Sequence, residues 1–386
     1  MQQTESKLFA YLQSHQEDMI DDLIALVKAQ SPSTDKKSCD ECADVITSLF
    51  QKRLPVSVRR FHETDVGDQL LLQVEPEPTD IKPILVLCHY DTVWNLDELP
   101  LHREKDRLYG PGVFDMKSGL VLTLWALRAL LETGHSLPGP VWVFCNSDEE
   151  TGSAASKDRI LQLSREARAV LVAEPAEAVT GSLKATRKGN GHYHVHIKGK
   201  AAHAGNDPLG GISAVEEMAH QILRLHALAD LPNGTSVNVG VARGGTRANI
   251  IADEADMDVD VRFLTEKEAV RIEQAFQSLA PVHPGITLTV TGGRSMPPME
   301  DTSKNRSLLD VARQAALALD YPLQTCSAGG CSDGNLTSAA GIPTLDGLGA
   351  TGEGLHARHE QLYVDEYPLR TALMASLLMR LRDFGC

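Results

Sequence analysis

The chain has 386 residues, which exceeds the roughly 250 to 300 residues that a single hydrophobic core usually holds, so two domains are expected. Hydrophobic residues make up 42% of the sequence and charged residues 23%, as in ordinary globular proteins, which excludes a disordered or fibrous chain. The formal net charge of -15 argues against a nucleic-acid partner, because binding phosphates requires a basic surface.

The amino terminus and the cysteines indicate a compartment. The first residues have neither the basic start nor the apolar run of a secretion signal, and no window reaches the ~20 apolar residues of a membrane span. A cytoplasmic protein with reduced thiols is therefore expected. Cys39 and Cys42 have the spacing of a metal-binding pair, but no second such pair accompanies them, which favours two free thiols.

An amphipathic helix over residues 8–28 opens a region that alternates apolar runs with helical patterns to about residue 180. This alternation predicts an α/β domain with a mostly parallel sheet. Three apolar runs are each followed by His or acidic residues, and ligands bind at the carboxyl ends of parallel strands, so one crevice is expected to collect them. These residues are His89 and Asp91 after 84–88, Glu149 and Glu150 after 141–145, and Glu174 after 169–173.

A tight loop precedes the long apolar helix that is predicted over residues 117–131. The loop is Gly110-Pro-Gly-Val-Phe-Asp115, and its last residue stands just ahead of the helix start, where the same crevice would lie. Taken alone, Asp115 is better explained as a plain helix cap than as a ligand.

Around residue 183 the pattern changes to the strict alternation of half-solvated antiparallel strands. The order of elements is β-α-β-β-α-β, which predicts a ferredoxin-like α+β domain. The α/β pattern returns from about residue 297. The predicted organisation is an α/β catalytic domain in two parts, 1–182 and 297–386, with the small domain inserted at 183–296.

The His and carboxylate residues suit a pair of zinc ions, which need about four ligands each and leave one position for water. His89 and Asp91 are two residues apart on one strand face, as a metal ligand and the residue that orients its other ring nitrogen would be. Glu149 and Glu150 are adjacent acids that repel each other unless a cation or a shared proton intervenes. One is expected to bind metal and the other to act as a base.

Five motifs occur in chain order and make this set specific. They are His89-x-Asp91, Gly110-Pro-Gly-Val-Phe-Asp115-Met-Lys-Ser-Gly119, Asn146-x-Asp-Glu-Glu150-x-Gly, Glu174-Pro175 and Gly354-x-His356-Ala-x-x-Glu360. From about residue 85 to the end, the chain resembles the M20 family of co-catalytic zinc peptidases and deacylases, and within it the glutamate carboxypeptidase branch.

This resemblance implies an α/β zinc-hydrolase domain with an inserted ferredoxin-like dimerisation or lid domain. It also implies two Zn²⁺ ions per chain, for which Co²⁺ or Mn²⁺ could substitute. The implied metal ligands are Asp115 as the bridge, His89 and Glu174 at one ion, and Glu150 and His356 at the other.

The resemblance also implies roles beside the metals. Glu149 would be the general base, Asp91 would orient His89, and the Asp115-Met116 peptide bond would be cis. The family spacing selects His356 over its neighbour His359.

The inserted domain carries substrate-side matches. His203 lies in Gly199-Lys-Ala-Ala-His203-Ala-Gly, which resembles the loop whose histidine reaches across a dimer to polarise the scissile carbonyl. Asn249 and Arg262 match positions that hold the substrate's carboxylate and carbonyl oxygen, and the donor fork of arginine suits a carboxylate.

Two further substrate-side candidates rest on weaker matches. Arg294 follows two glycines, and a solvated turn arginine is an equal alternative. Gly330 belongs to a loop that resembles the family's glycine-rich substrate-side loop, where backbone donors can approach a substrate closely.

The predicted function is hydrolysis of an amide bond next to a carboxylate-bearing amino acid by a glutamate carboxypeptidase-like homodimer. Its substrate would be a small peptide or an N-acyl amino acid, and no nucleic acid or membrane is involved. Three alternatives stay open: an N-acyl-amino-acid deacylase of the acetylornithine deacetylase type, a di- or tripeptidase, and a non-catalytic binding protein on the same fold. The row of His192, His194 and His196 leaves a second metal face open, although alternation favours a solvated strand.

Overall fold

A computed structural model of the protein describes residues 1–75 and 80–385. The chain forms two compact units. The larger unit comprises Met1–Ala185, Asp301–Ala328 and the residues from Ser332 onward, and the smaller unit comprises Thr186–Glu300 with Gly329–Cys331.

The first part of the larger unit contains helices and strands in alternation. The helices are α1 (Gln3–Ser14), α2 (Gln16–Lys28), α3 (Lys36–Arg53), α4 (Lys117–Glu132) and α5 (Lys157–Glu166). The strands are β1 (Ser57–Phe61), β2 (Gln69–Val74), β3 (Ile84–His89), β4 (His102–Glu104), β5 (Arg107–Tyr109), β6 (Val141–Asn146), β7 (Ala169–Val172) and β8 (Leu183–Arg187). The last two residues of β8 belong to the smaller unit.

The smaller unit has two helices behind a four-stranded antiparallel sheet, in the strand order β11-β13-β9-β14. Its elements are β9 (Gly189–Lys198), β10 (Ala202–His203), α6 (Ala214–His226), β11 (Ser236–Gly244), β12 (Ile250–Ile251), β13 (Glu254–Phe263), α7 (Glu266–Gln277) and β14 (Thr287–Met296). The predicted β-α-β-β-α-β order is confirmed. Alternate residues of β9, such as Val195 and Ile197, are buried in the core of this unit, as the period of two predicts.

The rest of the chain completes the larger unit. Its elements are α8 (Ser303–Ala318), β15 (Thr325–Ala328), α9 (Asp333–Ala339), β16 (Thr344–Leu345), β17 (Gly352–Glu353), β18 (Gln361–Tyr363) and α10 (Tyr367–Arg380). The central sheet has the order β1-β2-β6-β3-β7-β16 and is parallel from β6 to β16. The predicted mostly parallel sheet is therefore confirmed, and its antiparallel part is confined to β1 and β2.

The strands that precede the predicted ligands are neighbours in this sheet, because β3 lies between β6 and β7. His89 pairs with Asn146 at the carboxyl edge, so the residues after both strands emerge together. Helix α4 packs closely against the segment after β7. A Cβ added at Gly119 would lie 1.9 Å from the carbonyl oxygen of Ala173, so this close approach requires glycine.

Two smaller features concern the cysteines and the lengths of the helices. Cys39 and Cys42 are free thiols that are buried on the inner face of α3. Within the described ranges, no helix combines the length and the apolar composition needed to cross a bilayer.

Candidate metal centre

All six predicted metal-centre side chains and the orienting Asp91 belong to the larger unit. They follow the carboxyl ends of the parallel strands or lie in the loops beside them. His89 ends β3, Asp115 precedes α4, Glu149 and Glu150 form a 3₁₀ turn after β6, Glu174 follows β7, and His356 lies between β17 and β18.

The first ligand group contains His89, Asp115 and Glu174. The Nε2 atom of His89 lies 3.3 Å from Asp115 Oδ1 and 3.2 Å from Glu174 Oε1. His89 Nε2 and Asp115 Oδ1 are both buried, and neither has a hydrogen-bond partner among the residues that the structure describes. Buried polar atoms are normally satisfied, so an imidazole nitrogen facing two carboxylate oxygens in this way indicates the position of a cation.

The second ligand group uses the other oxygen of the same aspartate. His356 Nε2 lies 3.3 Å from Asp115 Oδ2 and 3.1 Å from Glu150 Oε2, and the ligand atoms of each group lie within 4.8 Å of one another. His359 is exposed and does not belong to this group. The donor set of imidazoles and carboxylates, with one shared carboxylate, fits a pair of zinc-type ions.

The charges of this cluster perturb its titration. Burial raises the pKa of Glu149 well above its usual value. The carboxylates of Asp115 and Glu150 raise the pKa of His356 to about 10. Burial alone would also raise the pKa of Asp115, but His356 and His89 hold it below its usual range. The carboxylates therefore compete for protons, and positive ions between them would relieve this competition.

Asp91 is fully buried and connects the two groups. Its Oδ2 atom accepts hydrogen bonds from the Ser33 hydroxyl at 2.8 Å and from the Glu150 N–H at 3.2 Å. His89 Nδ1 lies 3.1 Å from the backbone oxygen of Asp91 and 3.4 Å from Oδ1 of its carboxylate. Both oxygens can accept the Nδ1 hydrogen, which leaves a lone pair on Nε2 for a metal.

The geometry separates the two adjacent glutamates. Glu150 belongs to the second ligand group, whereas Glu149 belongs to neither. The Oε2 atom of Glu149 lies 3.9 Å from His89 Nε2, so its carboxylate borders the first group. A carboxylate beside the ligands is free to exchange protons.

Glu360 has no role in the sequence analysis, although it ends one of the quoted motifs. It is buried, and Oε1 accepts hydrogen bonds from the N–H groups of Phe114 and Asp115 at 3.0 and 3.1 Å. Oε2 accepts from the Gly112 N–H at 3.2 Å and from the indole of Trp94 at 2.7 Å. Glu360 therefore fixes the loop that carries Asp115.

Asp333 is a second buried acid that the sequence analysis did not assign. It accepts hydrogen bonds from the side chains of Asn146 at 2.8 Å and Ser153 at 2.5 Å. Burial raises the pKa of Asp333 to about 7. It ties the start of α9 to the loop after β6, which carries both glutamates, and no regular spacing in the sequence signals this contact.

Three of the substrate-side candidates, His203, Asn249 and Arg262, belong to the smaller unit. His203 is exposed, and its Nδ1 atom accepts hydrogen bonds from the N–H groups of Gly205 and Asn206, both at 3.1 Å. The neutral ring therefore carries its hydrogen on Nε2, where it can be donated. Asn249 is exposed. Arg262 is partly exposed, and its Nε donates at 3.0 Å to Asp260, two residues earlier on the same strand.

The guanidinium of Arg294 donates hydrogen bonds to two glutamates of α7. Nε and Nη2 donate to Glu273 at 2.8 and 3.0 Å, and Nη1 donates to Glu266. These contacts attach β14 to α7, so they favour a structural role for Arg294 over contact with a substrate. Gly330 is exposed, and its carbonyl oxygen accepts a hydrogen bond from Arg187 at 3.3 Å.

Two histidines of the β9 row contact aspartates of β13 across the sheet. His194 Nδ1 lies 2.8 Å from Asp258, and His196 Nδ1 lies 2.8 Å from Asp256. Among the described residues, no three metal-ligand side chains converge on this row. The contacts agree with a solvated strand face.

The fold and the two ligand groups that share one carboxylate define a metallohydrolase. The sequence profile of Peptidase family M20/M25/M40 matches residues 85–380, and the chain belongs to this family. The Asp115-Met116 bond is cis, as the resemblance implies.

Two of three similar proteins match almost the whole chain, and the third matches about half of it. Carboxypeptidase G2 from Pseudomonas sp. (strain RS-16) is 29% identical over 98% of this chain and 93% of its own length. Acetylornithine deacetylase from Klebsiella pneumoniae is 29% identical over 46% of this chain and 50% of its own length. The crystal structure of aminopeptidase PepT from Bacillus cereus has a TM-score of 0.79 at 22% identity, and the match covers 95% of this chain and 98% of that one.

Replacing Glu360 by glutamine is expected to weaken zinc binding about 10- to 100-fold, because an amide cannot accept from all the N–H groups that fix the Asp115 loop. Zinc retention against a graded series of chelators measures this effect. The matched control is Glu353→Gln, whose carboxylate accepts from the Gln361 side chain on the neighbouring strand. Equal retention in the two variants would contradict the proposed function of Glu360.

Proposed function

We propose that this chain is a di-zinc exopeptidase that hydrolyses the amide bond next to a carboxylate-bearing amino acid, with glutamate as the preferred residue. The observation that carries the proposal is the pair of ligand groups that share Asp115, with Glu149 beside them but in neither. The similarity to carboxypeptidase G2 over nearly the full chain supports the substrate class. A cytoplasmic location also stays a prediction.

The metals would be held by the residues of the two groups. His89 and Glu174 would bind one ion, Glu150 and His356 the other, and Asp115 both. When bound, such ions acidify a water molecule and polarise the carbonyl of the amide.

Glu149 is proposed to move the protons of the reaction. Its partly buried carboxylate takes a proton from the attacking water and returns it to the nitrogen of the leaving amine, so that the amide C–N bond breaks and water is consumed. The raised pKa supports this role, because a carboxylate with a raised pKa is a stronger base than an exposed one.

Residues of the smaller unit are proposed to recognise the substrate. The guanidinium of Arg262 would bind the substrate's carboxylate as a donor fork, and Asn249 would donate to an oxygen of the substrate. Because His203 Nδ1 accepts two backbone hydrogen bonds, its Nε2–H is available to stabilise negative charge on the carbonyl oxygen. We propose that this histidine acts on the site of the partner subunit in a homodimer. The edge strand β11, whose residues are mostly exposed, offers a surface for such pairing.

A second candidate function is deacylation of an N-acyl amino acid. The similarity to acetylornithine deacetylase favours it, although that match covers 46% of this chain. Both reactions break an amide bond and could use the same metal ligands, so the contacts to the remainder of the substrate decide between them.

A substrate panel tests the proposed function. Peptides and N-acyl compounds that end in glutamate are expected to be hydrolysed with a higher kcat/KM than N-acetylated ornithine-type substrates. The matched control replaces the terminal α-carboxylate by a carboxamide and should lower kcat/KM at least ~100-fold, because Arg262 would lose its charged partner. Faster hydrolysis of the acetylated amino acids would favour the deacylase instead.

The two adjacent glutamates are expected to respond differently to substitution. Glu149→Gln should keep both metals and lose about 10²- to 10⁴-fold in kcat, because the proton shuttle is removed. Glu150→Gln should lose metal, because a ligand is removed. Elemental analysis and turnover measured on the same preparations provide both readouts. Equal metal loss in the two variants would show that the assignment of base and ligand is wrong.

His203→Ala is expected to leave the metal content and the dimer intact while lowering kcat by ~100-fold or more, the usual effect of removing one oxyanion donor. Mixing this variant with Glu149→Gln sharpens the test. A mixed dimer contains one site that has Glu149 from one chain and His203 from the other, so activity should return in up to one of its two sites. Subunit exchange demonstrated by mass, without recovery of activity, would refute action across the dimer.

A further inference from the structure

A third group of metal-ligand side chains lies in the smaller unit, apart from the centre described above. Glu216 and His220 are four residues apart on α6, so they share one face of the helix. His283 comes from the segment between α7 and β14. One ligand atom from each of the three residues lies within 4.8 Å of the others.

A buried carboxylate fixes the orientation of His283. Glu217 has no exposed surface, and its Oε1 atom accepts hydrogen bonds from the Gln221 side chain at 2.6 Å and from the Val282 N–H at 2.8 Å. Its Oε2 atom accepts from the backbone N–H of His283 at 3.0 Å and lies 2.8 Å from Nδ1 of the same ring. Since a carboxylate oxygen accepts, Nδ1 of His283 must donate its hydrogen.

This tautomer directs a lone pair of His283 into the cluster. With the hydrogen on Nδ1, the Nε2 atom of the neutral ring is an acceptor, and it lies 3.7 Å from Oε1 of Glu216. The ring of His220 stands beside it, with the two ring centroids 5.2 Å apart. Two hydrogen-bond acceptor atoms that face each other repel unless a positive charge lies between them.

Among the described contacts, the nearby cationic side chain of Arg224 donates to a backbone oxygen and not to this cluster. Arg224, one turn beyond His220 on α6, donates from Nη1 to the carbonyl oxygen of Ala280 at 2.8 Å. Its guanidinium is thus directed to the backbone of the segment that carries His283.

The arrangement repeats that of the metal centre in the larger unit. There the Nδ1 atom of His89 faces oxygens of Asp91, and its Nε2 atom faces the carboxylates of Asp115 and Glu174. In the smaller unit Glu217 holds Nδ1 of His283, and Nε2 faces another carboxylate. An imidazole that donates Nδ1–H to a carboxylate or carbonyl is the usual form of a metal-bound histidine.

We propose that Glu216, His220 and His283 bind one divalent ion of the zinc class in a site separate from the centre of the larger unit. Two imidazoles and one carboxylate suit zinc and its neighbours in the transition series, whereas calcium and magnesium prefer oxygen ligands. Three protein ligands leave a position for water. The ion would join α6 to the segment before β14 and so stabilise the smaller unit.

Zinc binding by the full chain tests this proposal. Metal-free protein is dialysed against a zinc buffer, and the zinc per chain is measured in the wild type, His220→Ala and His283→Ala. The matched control is His226→Ala, which removes another exposed histidine from the same helix. Wild type and control are expected to hold one more zinc per chain than the other two variants.

The comparison is a difference between variants, so it does not depend on how many ions the centre of the larger unit holds. A second readout is the thermal unfolding midpoint, which zinc should raise more in the wild type and in His226→Ala than in His220→Ala. Equal zinc content in the wild type and His220→Ala would overturn the proposal. The loss of one zinc in His226→Ala as well would also overturn it, because it would show adventitious binding to surface histidines.

Discussion

The shared carboxylate of Asp115 is the constraint on which the metal centre depends. Its two oxygens face two different imidazoles, at 3.3 Å each, so one side chain sets the spacing of both ligand groups. Burying that carboxylate among further acids is unfavourable without compensating cations. The loop before α4 must therefore hold Asp115 firmly, and the three hydrogen bonds that Glu360 accepts from the N–H groups of this loop do so. The centre is thus preorganised by contacts that themselves bind no metal.

The parallel sheet brings the other candidate ligands to the same place. Because β6, β3 and β7 are adjacent and run in one direction, the residues that follow them meet at one edge. Glu149 and Glu150 show how fine this placement is. They are adjacent in the chain, yet the turn after β6 directs one into a ligand group and leaves the other 3.9 Å from His89. Two residues that are adjacent in the sequence can therefore take the two proposed roles of base and metal ligand.

The orientation of a histidine by an acceptor at Nδ1 occurs in the smaller unit as well. In both units a fixed acceptor takes the Nδ1 hydrogen of a histidine and leaves Nε2 facing a carboxylate. The centre of the larger unit is mostly buried, whereas Glu216 and His220 are exposed. Water weakens the attraction between an exposed ligand and an ion. An ion would therefore bind more weakly to these exposed residues than to buried ligands.

The sequence by itself predicted the fold class, the inserted β-α-β-β-α-β order and the candidate metal ligands that the structure brings together in two groups, because these depend on short-range periodicity and on motifs with fixed spacing. Only the tertiary structure decided which contacts support them. Glu360 reaches the loop of Asp115 across 245 residues, and Glu217 reaches His283 across 66. It also showed that Arg294 is bound by Glu273 and Glu266. Contacts between residues so distant along the chain form only after the chain has folded, and they leave no regular pattern in the sequence.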